Sequence, residues 1–299
     1  MTLVTPFSVG SLRCHALEAG IQKLDGGAMF GVVPRPLWSR RVTPDDRNRI
    51  SLALRCILID HPDGPTLLDT GIGNKESEKF RDIYGVANAG RTGPTQLEDA
   101  LAEADIEPKD VRWVINTHLH FDHAGGNTVR EGSAVRLAFP NATYVVQKRE
   151  LEYARHTNER TQASYLPPNF EPIADAGRWQ LIEGDQQILP GIRARLVPGH
   201  VPFLQAIIIE DGEDTAVFVA DLIPTVAHLP LPWIMGYDVE PLRTLESKRA
   251  LLDDASTSGW RLVFEHDPDI VSALVVPGER GHELVDALKA PPSPALDAG

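Results

Sequence analysis

The sequence predicts a mixed α/β fold. Short runs rich in apolar and β-branched residues alternate with stretches that carry apolar residues at helical spacing. Turn-forming clusters such as the His-Pro-Asp-Gly at residues 61–64 separate them. A chain of 299 residues, 42% of them hydrophobic, can bury a large core. We therefore expect one domain over residues 1–299 with two αβ halves, roughly 1–180 and 181–290, and a loose Pro-rich tail at 291–299.

The first half of the chain contains the clearest predicted hairpin, in which the turn cluster at residues 61–64 joins two strands. The predicted strands of this half are residues 50–59, 66–69 and 142–147. The predicted helices are residues 95–104 and 149–155. Thr95 and Glu98 have the spacing of a capping box, in which each side chain binds the other residue's backbone N–H at the start of a helix.

The second half of the chain repeats the alternation of strands and helices. Its predicted strands are residues 193–197, 206–210, 215–220 and 261–264. Residues 241–256 carry apolar or small side chains at helical spacing, which predicts a helix between the last two of these strands. Composition and periodicity alone support a mixed α/β class and no more specific architecture.

Composition argues against several classes of protein. The net charge of −13 disfavours nucleic acid as a partner, because proteins that bind nucleic acid present a basic face. No apolar run approaches the roughly 18 residues of a membrane-spanning helix. The N-terminal segment lacks a basic start followed by an apolar stretch, so we expect no signal peptide and a cytoplasmic location. Cys14 and Cys56 do not make a disulfide framework, and each is expected to be a small buried hydrophobe.

The segment His-Leu-His-Phe-Asp-His at residues 118–123 concentrates four side chains that bind metals well. In an extended segment, residues two apart point to the same side, so His118 and His120 can bind one ion together. Asp122 and His123 can then bind a second ion. Imidazole and carboxylate suit zinc and its first-row neighbours. The alternative interpretation is a surface loop that is rich in His by chance.

Three further ligand-type residues each follow an apolar, strand-like run. They are Asp221, His266 and, after a Pro-Gly turn, His200. Ligand sites in layered α/β proteins form where the ends of strands meet. A single Asp after a strand is more often a turn residue, but three such positions together indicate a site. We therefore expect these side chains to join the cluster at residues 118–123.

This combined pattern resembles that of the metallo-β-lactamase-fold hydrolases, and it spans roughly residues 50–268. The family pattern is HxHxDH, then a His after Pro-Gly, then a bridging Asp and a late His. The resemblance implies a four-layer αββα sandwich with metal ions at one edge between the sheets. It implies that His118, His120 and His200 hold one metal, that Asp122, His123 and His266 hold the other, and that Asp221 bridges them. It also implies that Asp69, in an Asp-Thr-Gly turn, supports the metal-binding loop.

The resemblance further implies two divalent metal ions as cofactors, with zinc as the default and manganese, iron or cobalt compatible with the same ligands. Water that bridges two cations loses a proton near neutral pH, which provides a hydroxide for hydrolysis. Asp122 is expected to accept the remaining hydrogen bond of that hydroxide and to orient it. Asp122 or His228, which lies in a Pro-rich loop shortly after the bridging Asp, is expected to return the proton to the leaving group.

Within the family, the chain looks most similar to the branch of quorum-quenching lactonases and organophosphate hydrolases. The Asp-Leu-Ile-Pro stretch at residues 221–224 and the Gly-Ala-Met-Phe-Gly segment at residues 27–31 carry this likeness. These enzymes open acyl-homoserine lactones or cleave aryl phosphotriesters and esters. The chain departs from the pattern at two places. Pro224 stands where a lactonase of the branch has Tyr, and Val-Pro-Phe at 201–203 replaces a segment with Thr and Gly.

Two segments carry residues that we expect to line a substrate pocket, because such pockets combine an apolar or aromatic lining with few polar groups. The expected substrate-binding residues are Met29, Phe30 and Trp38 in the N-terminal segment and Ile223, Trp233 and Tyr237 after the bridging Asp. The alternative is that each is a core or interface contact. Members of this branch are often dimers through their N-terminal segment, and residues 29–38 are compatible with a homodimer.

Three functional hypotheses follow from the sequence. The first is a dinuclear metal-dependent hydrolase that opens small-molecule lactones or cleaves esters, as an acyl-homoserine lactonase does. The second is a phosphotriester or aryl-ester hydrolase of the methyl parathion hydrolase type with the same metal site. The third is a metal-binding scaffold or sensor without turnover, which would require the loss of a ligand or of Asp122. The sequence contains all of these residues.

Overall fold

The computed structural model describes residues 2–279 and 281–292, which form two seven-stranded sheets and a small separate hairpin. In chain order the first nine strands are β1 (Val4–Val9), β2 (Leu12–Asp25), β3 (Arg49–Ile59), β4 (Thr66–Leu68), β5 (Trp113–Ile115), β6 (Thr128–Glu131), β7 (Ala134–Leu137), β8 (Thr143–Gln147) and β9 (Trp179–Ile182). The hairpin pairs β6 with β7, and the first sheet has the order β1-β2-β3-β4-β5-β8-β9.

The second sheet contains the remaining strands in simple chain order. They are β10 (Gln186–Leu189), β11 (Ile192–Leu196), β12 (Gln205–Asp211), β13 (Asp214–Phe218), β14 (Arg261–Val263), β15 (Ile270–Gly278) and β16 (Gly281–Lys289). All neighbours are antiparallel except β13 and β14. The long connection between these two parallel strands contains a helix, as a parallel crossover requires.

The helices are short, apart from one near the C-terminus. They are α1 (Gly26–Phe30), α2 (Arg35–Trp38), α3 (Glu78–Ile83), α4 (Gln96–Glu103), α5 (Phe121–Ala124), α6 (Lys148–Arg155), α7 (Glu171–Asp175) and α8 (Pro241–Ser258). The predicted capping box is present at the start of α4, where Thr95 and Glu98 bind each other's backbone N–H. Helix α8 ends at Gly259, whose φ of 69° is the left-handed conformation that glycine adopts without strain.

The two large sheets pack face to face. Successive side chains of a strand point to opposite faces, so alternate residues reach the core between the sheets. In β3, Ile57 and Ile59 lie in this core together with Ile207 and Ile209 of β12. Leu58, between the two β3 residues, belongs to a different cluster on the outer face.

Helices cover the outer faces of both sheets. Leu58 of β3 shares its cluster with Leu97 and Leu101 of α4. On the other side of the molecule, Ile208 of β12 shares a cluster with Leu251 of α8. The layers therefore run helix, sheet, sheet, helix, and the predicted αββα sandwich is confirmed.

The structure contains every predicted strand and helix, with ends shifted by about two residues or fewer. The strands that were not predicted are the hairpins β1–β2, β6–β7 and β15–β16 and the strands β9 and β10. Strands β1 and β16 lie at the edges of their sheets, and many of their residues are exposed, so neither has a long apolar run. Edge strands of this kind give a weak signal in a sequence.

Two expectations about the chain can be compared with the described residues. No helix among residues 2–279 and 281–292 has the length and apolarity to cross a membrane. Cys14 and Cys56 are buried free thiols, as expected. The tail predicted over residues 291–299 lies outside the described residues from residue 293 onward.

Candidate metal centre

Seven predicted ligands come together from both halves of the chain. The loops after β5, β11, β13 and β14 carry them. One group consists of His118, His120, His200 and Asp221, and a second consists of Asp122, His123 and His266. Within each group the potential ligand atoms all lie within 4.8 Å of one another. This is the spacing at which side chains can share one ion.

The turn from β5 into helix α5 places the four ligands at residues 118–123. The strand ends at Ile115, and the chain stays irregular until His120, which precedes the first residue of the helix. Directly after α5, a Cβ on Gly125 would lie 2.1 Å from the Ile72 carbonyl oxygen, and one on Gly126 would lie 2.1 Å from the Thr70 carbonyl oxygen. Only glycine allows this approach, so the Gly-Gly pair anchors the loop to the turn after β4.

The first group is arranged around His200. Its Nε2 lies 3.1 Å from Nδ1 of His120 and 3.1 Å from Oδ2 of Asp221. Nε2 of His118 is buried and has no hydrogen-bond partner among the described residues. A buried polar atom without a partner costs free energy, so an unpaired imidazole nitrogen aimed into a cluster of ligands indicates a bound cation.

The second group shares Asp221 with the first. Nε2 of His266 lies 3.0 Å from Oδ1 of Asp221 and 3.2 Å from Nε2 of His123. Oδ1 and Oδ2 of Asp122 lie 3.8 Å from His123 Nε2 and 3.9 Å from His266 Nε2, respectively. Asp221 therefore presents one oxygen to each group, as a bridging ligand would.

The outer nitrogens of the histidines are occupied by hydrogen bonds. Nδ1 of His200 lies 2.9 Å from Oδ1 of Asp238, and Nδ1 of His266 lies 2.8 Å from the carbonyl oxygen of Ala53. Nδ1 of His118 lies 3.1 Å from the Thr117 hydroxyl. When Nδ1 donates outward, the Nε2 lone pair points inward, which is the tautomer that binds a metal.

Asp69, which follows the end of β4, hydrogen-bonds to the loop that carries the candidate ligands. Its Oδ1 accepts the backbone N–H of Thr117 at 2.8 Å, and its Oδ2 accepts the Thr117 hydroxyl at 2.6 Å. Oδ2 also lies 3.1 Å from Nδ1 of His123. Glu265 approaches the same nitrogen at 3.0 Å, and burial raises the pKa of its carboxyl group to about 8. These contacts place Asp69 against the loop for which the resemblance implies a supporting role.

The electrostatics of the cluster suit a cation. Burial holds the pKa of His118 well below its usual range, and the neighbouring His123 adds to this effect. Burial would also lower the pKa of His266, but the carboxylate of Asp221 outweighs it and raises that pKa to about 9. Five imidazoles and two carboxylates in one small volume are therefore competing for protons. This donor set fits divalent metal ions, which replace those protons when they bind.

A cavity of about 330 Å³ opens above the cluster. Five of the predicted ligands line it, namely His120, Asp122, His200, Asp221 and His266. The remaining wall is mostly apolar, with Leu24, Ala28, Met29, Leu52, Phe121, Met235, Gly236 and Val239, and its polar members include Tyr84, Arg160, Thr161, Ser164 and Tyr237. An apolar cavity with a few polar groups and a metal-ligand cluster at one end is the usual form of a small-molecule site.

Comparison with known proteins identifies the family. Residues 55–266 match the family model described as the metallo-beta-lactamase superfamily. The chain belongs to this superfamily. The fold, the order of the ligands along the chain and their grouping agree with this membership, and the assignment that the sequence motifs predicted is confirmed.

Several known proteins are similar to this chain in sequence. An N-acyl homoserine lactonase from a Bacillus species is 32% identical over 166 residues, which are 54% of this chain and 60% of that protein. The match therefore spans less than two thirds of the length of that relative. The N-acyl homoserine lactonase AttM of Azorhizobium caulinodans is 28% identical over 226 residues, or 71% of this chain and 81% of that protein.

One solved structure is similar over almost its whole length. A probable metal-dependent hydrolase from Staphylococcus aureus is 32% identical and superimposes with a TM-score of 0.86. The match covers 95% of this chain and 99% of the other. The similarity of this chain to that structure therefore extends well beyond the residues of the candidate metal centre.

Four of the six predicted substrate-binding residues do not line the cavity of this superfamily member. Phe30, Trp38 and Ile223 are almost fully buried, and neither they nor Trp233 are part of the lining. Three of these four, all but Ile223, pack in a cluster behind the wall, which they support through Met29 and other lining residues. Aromatic residues near a site are often core, as the alternative interpretation held. Met29 and Tyr237 do line the cavity.

The geometry also argues against the predicted catalytic role of His228. The side chain is buried and is not part of the cavity lining. Nε2 donates to the carbonyl oxygen of Met29 at 2.9 Å, and Nδ1 lies 2.8 Å from the Thr225 hydroxyl. The ring stacks on Phe30 with centroids 4.5 Å apart, and burial lowers the pKa of His228 to about 3. With both nitrogens engaged in hydrogen bonds, the His228 side chain positions the loop after Asp221 and does not reach the cavity in which a proton would be transferred.

Several residues around the candidate metal centre were not predicted from the sequence. Gln22 of β2 donates a hydrogen bond to Oδ2 of Asp122. Asp238 binds His200, and Glu265 binds His123. Glu265 stands directly before His266, and this position could have identified it. Gln22 and Asp238 lie far along the chain from their partners, so no local pattern marks them.

Glu150 of α6 is a further missed residue, and it supports the segment between the first two ligands. One carboxylate oxygen, Oε1, accepts the backbone N–H of Leu119 at 3.1 Å and the hydroxyl of Tyr165 at 2.9 Å. The Tyr165 ring in turn packs edge-on against His120, with centroids 4.7 Å apart. Burial raises the pKa of Glu150 to about 7.

Proposed function

We propose that this chain is a dinuclear metal-dependent hydrolase, with zinc as the metal, that opens lactones or cleaves related carboxylic esters. One observation carries the proposal. Seven metal-ligand side chains in two groups meet at one end of a cavity whose wall is mostly apolar. Such a site can hold a neutral organic substrate against a Lewis acid, which is what ester hydrolysis requires.

Each group of ligands would hold one ion. The first ion would bind to His118, His120 and His200, the second to Asp122, His123 and His266, and Asp221 would contact both. Two bound divalent ions would provide hydroxide near neutral pH and would polarise the substrate carbonyl. Thr117, Asp238 and the Ala53 carbonyl oxygen would keep His118, His200 and His266 in the required tautomer.

Asp122 is the proposed proton carrier. It lines the cavity, and the hydrogen bond from Gln22 holds its carboxylate in one orientation. Addition of hydroxide to the carbonyl carbon gives a tetrahedral species, which collapses by breaking the bond to the ring oxygen. Asp122 would take the proton of the added hydroxyl and deliver it to the departing alkoxide, so that the product is a hydroxy acid. This leaves no step for His228.

The similar proteins favour lactones over other esters. Relatives from two bacterial genera carry the name N-acyl homoserine lactonase. The cavity of about 330 Å³ is in the size range of small-molecule sites, and its apolar wall suits an acyl or alkyl chain. Met29 and Tyr237 remain candidates for substrate contact because both are part of this wall.

We also propose that the protein forms a homodimer and is located in the cytoplasm. Val32 is 93% exposed and Leu37 is 48% exposed, in the segment expected at the dimer interface. The two buried free thiols suit a reducing compartment. Size-exclusion chromatography with light scattering should give the mass of a dimer, and Val32→Asp should shift it to a monomer. A wild-type monomer would overturn the dimer.

A substrate panel tests the proposed reaction. The metal-loaded protein is assayed with an acyl-homoserine lactone, an aliphatic lactone, an aryl ester and an aryl phosphotriester, with and without a chelator. Lactone turnover that the chelator abolishes is the expected result. Turnover of the phosphotriester alone would replace the proposal with the second hypothesis. No turnover of any substrate by protein with two bound metals would favour the scaffold.

A further inference from the structure

Arg160 is the one residue of the cavity lining that carries a charge unrelated to the metal centre. Among the described residues that line the cavity, the other charged groups are the carboxylates of Asp122 and Asp221 and the histidines of the cluster. Arg160 lies in the segment between α6 and α7, beside Thr161 and Ser164, which also line the cavity. The cavity therefore has one fixed positive group outside its metal-binding end.

One edge of the Arg160 guanidinium group contacts backbone carbonyl oxygens. Its Nη2 donates to the carbonyl oxygen of Gly236 at 2.8 Å and lies 3.4 Å from the carbonyl oxygen of Asp238. These contacts link the Arg160 segment to the opposite wall, where Asp238 also binds His200. The position of the charge is therefore tied to the loop that orients a predicted metal ligand.

The other edge of the same group has no partner in the part of the chain that the structure describes. No carboxylate there forms a salt bridge with Arg160, and no hydrogen bond involves its Nε or Nη1. A guanidinium has five N–H donors in a rigid fork and cannot lose its charge. Arg160 thus retains donors for an acceptor oxygen that enters the cavity.

Apart from Arg160, the side chains outside the metal centre that line the cavity and can donate a hydrogen bond to that oxygen are uncharged hydroxyls, those of Tyr84, Thr161, Ser164 and Tyr237. Leu24, Met29, Leu52 and Met235 are apolar, and the lining contains no second cation outside the histidines. A complementary substrate has an apolar chain and one oxygen acceptor in addition to the carbonyl that reacts. Sites that bind a polar group of the substrate discriminate strongly against analogues that lack it.

We infer that Arg160 is a specificity-determining residue that binds a second carbonyl or carboxylate oxygen on the substrate, outside the ester bond that is cleaved. This inference rests on the proposed hydrolysis of lactones. The acceptor has two chemical sources, a neutral amide carbonyl on an acylamino lactone or a carboxylate on a side chain of the ring. A lactone with only an alkyl chain has neither.

The test compares Arg160→Met with the wild type on three γ-lactones of similar size. One has an acylamino group, one has a carboxylate-bearing chain, and one has an alkyl chain. Methionine keeps the length and apolar stem of the side chain and removes every donor. The matched control is Arg149→Met, because Arg149 of α6 stacks on Phe203 with 4.5 Å to the ring centroid and does not line the cavity.

The expected result is a loss of about 10- to 100-fold in kcat/KM on at least one acceptor-bearing lactone, mainly through KM, with the alkyl lactone changed by less than about twofold. Which of the two acceptor-bearing lactones is affected identifies the source of the oxygen. Arg149→Met should behave as the wild type on all three.

Two outcomes would overturn the inference while leaving the proposed function intact. An equal loss on all three lactones would make Arg160 a structural link between the walls, acting through Asp238 and His200. No loss on any lactone would remove it from the site. If the wild type itself turns over no lactone, the proposed function fails, and the inference fails with it.

Discussion

At the scale of single residues, the role of each polar group follows from the atoms that it contacts. The outer nitrogens of His118, His200 and His266 meet protein oxygens, which leaves their other nitrogens for an ion. Asp122 and Asp221 are the two carboxylates that belong to a ligand group and also line the cavity. Asp122 differs from Asp221 because its oxygens lie 3.8 and 3.9 Å from histidine nitrogens, whereas those of Asp221 lie 3.0 and 3.1 Å from such nitrogens. We therefore assign to Asp122 both the binding of a metal ion and the transfer of a proton.

Asp122→Asn should lower kcat on the best lactone by at least about 100-fold, because an amide cannot carry the proton and is a poorer ligand. Steady-state kinetics with metal analysis of the same sample measures this. Asp46→Asn, at an exposed position outside the cavity lining, is the matched control and should leave kcat unchanged. An Asp122→Asn enzyme with kcat near that of the wild type would exclude the proposed role.

His228→Leu should affect stability more than catalysis. The substitution leaves the Thr225 hydroxyl and the Met29 carbonyl oxygen without their buried partner, and we expect a loss of about 2 kcal/mol in the free energy of unfolding. The kcat of the folded protein should stay within about threefold of the wild type. Urea denaturation and kinetics on one preparation separate the two effects. A large fall in kcat with unchanged stability would restore His228 as a catalytic residue.

The sequence predicted that the seven candidate ligands lie together because their types, order and positions after strands form a specific pattern. It could not separate Met29 and Tyr237, which line the cavity, from Phe30 and Trp38, which lie behind the wall. Both kinds of residue are apolar or aromatic and close in sequence. Only the stacking of side chains from distant segments, such as Phe30 on His228, decides which of them faces the cavity.

At the scale of elements, helix α6 supports the metal-binding loop through Glu150. Burial raises the pKa of Glu150 from 4.5 to about 7. The folded state then holds the proton more tightly than the unfolded state does. The free energy of unfolding should therefore fall as the pH rises from about 4.5 through 7, by about 3 kcal/mol at most for this group.

Glu150→Gln removes the ionisable group and keeps an oxygen for Leu119 and Tyr165, so the decrease in stability between pH 5 and 8 should be smaller than in the wild type. Denaturant unfolding of the metal-loaded protein across this range measures the slope. The control is Glu152→Gln, at an exposed position on the same helix, which should keep the wild-type slope. If the free energy of unfolding changed with pH equally in the wild type and in Glu150→Gln, the ionisation of Glu150 would not destabilise the folded protein.

At the scale of the whole molecule, the candidate metal centre is built from residues of both halves of the chain. The loop at residues 118–123 belongs to the first sheet, whereas His200, Asp221 and His266 follow strands of the second. The two sheets share an apolar core in which β3 faces β12, and the ligands meet where this core reaches its edge. The sequence predicted this arrangement only through its resemblance to a family, since local patterns do not define how two sheets pack.

Removal of metal should destabilise the molecule as a whole. An ion that binds only the folded state stabilises it by about 2.7 kcal/mol when its free concentration is 100 times its Kd. Chelation should therefore lower the melting temperature by several degrees, and zinc should restore it. Magnesium should not, because it prefers oxygen ligands to imidazole. An unchanged melting temperature after complete removal of metal would contradict a centre that spans both halves.

We propose that two metal ions at this centre make the protein a lactone hydrolase. The most direct test is to titrate metal-free protein with zinc and to measure both bound zinc, by elemental analysis, and lactone turnover at each step. We expect turnover to rise to a maximum at about two zinc ions per chain. Full turnover at one ion per chain, or two bound ions without any turnover, would contradict it.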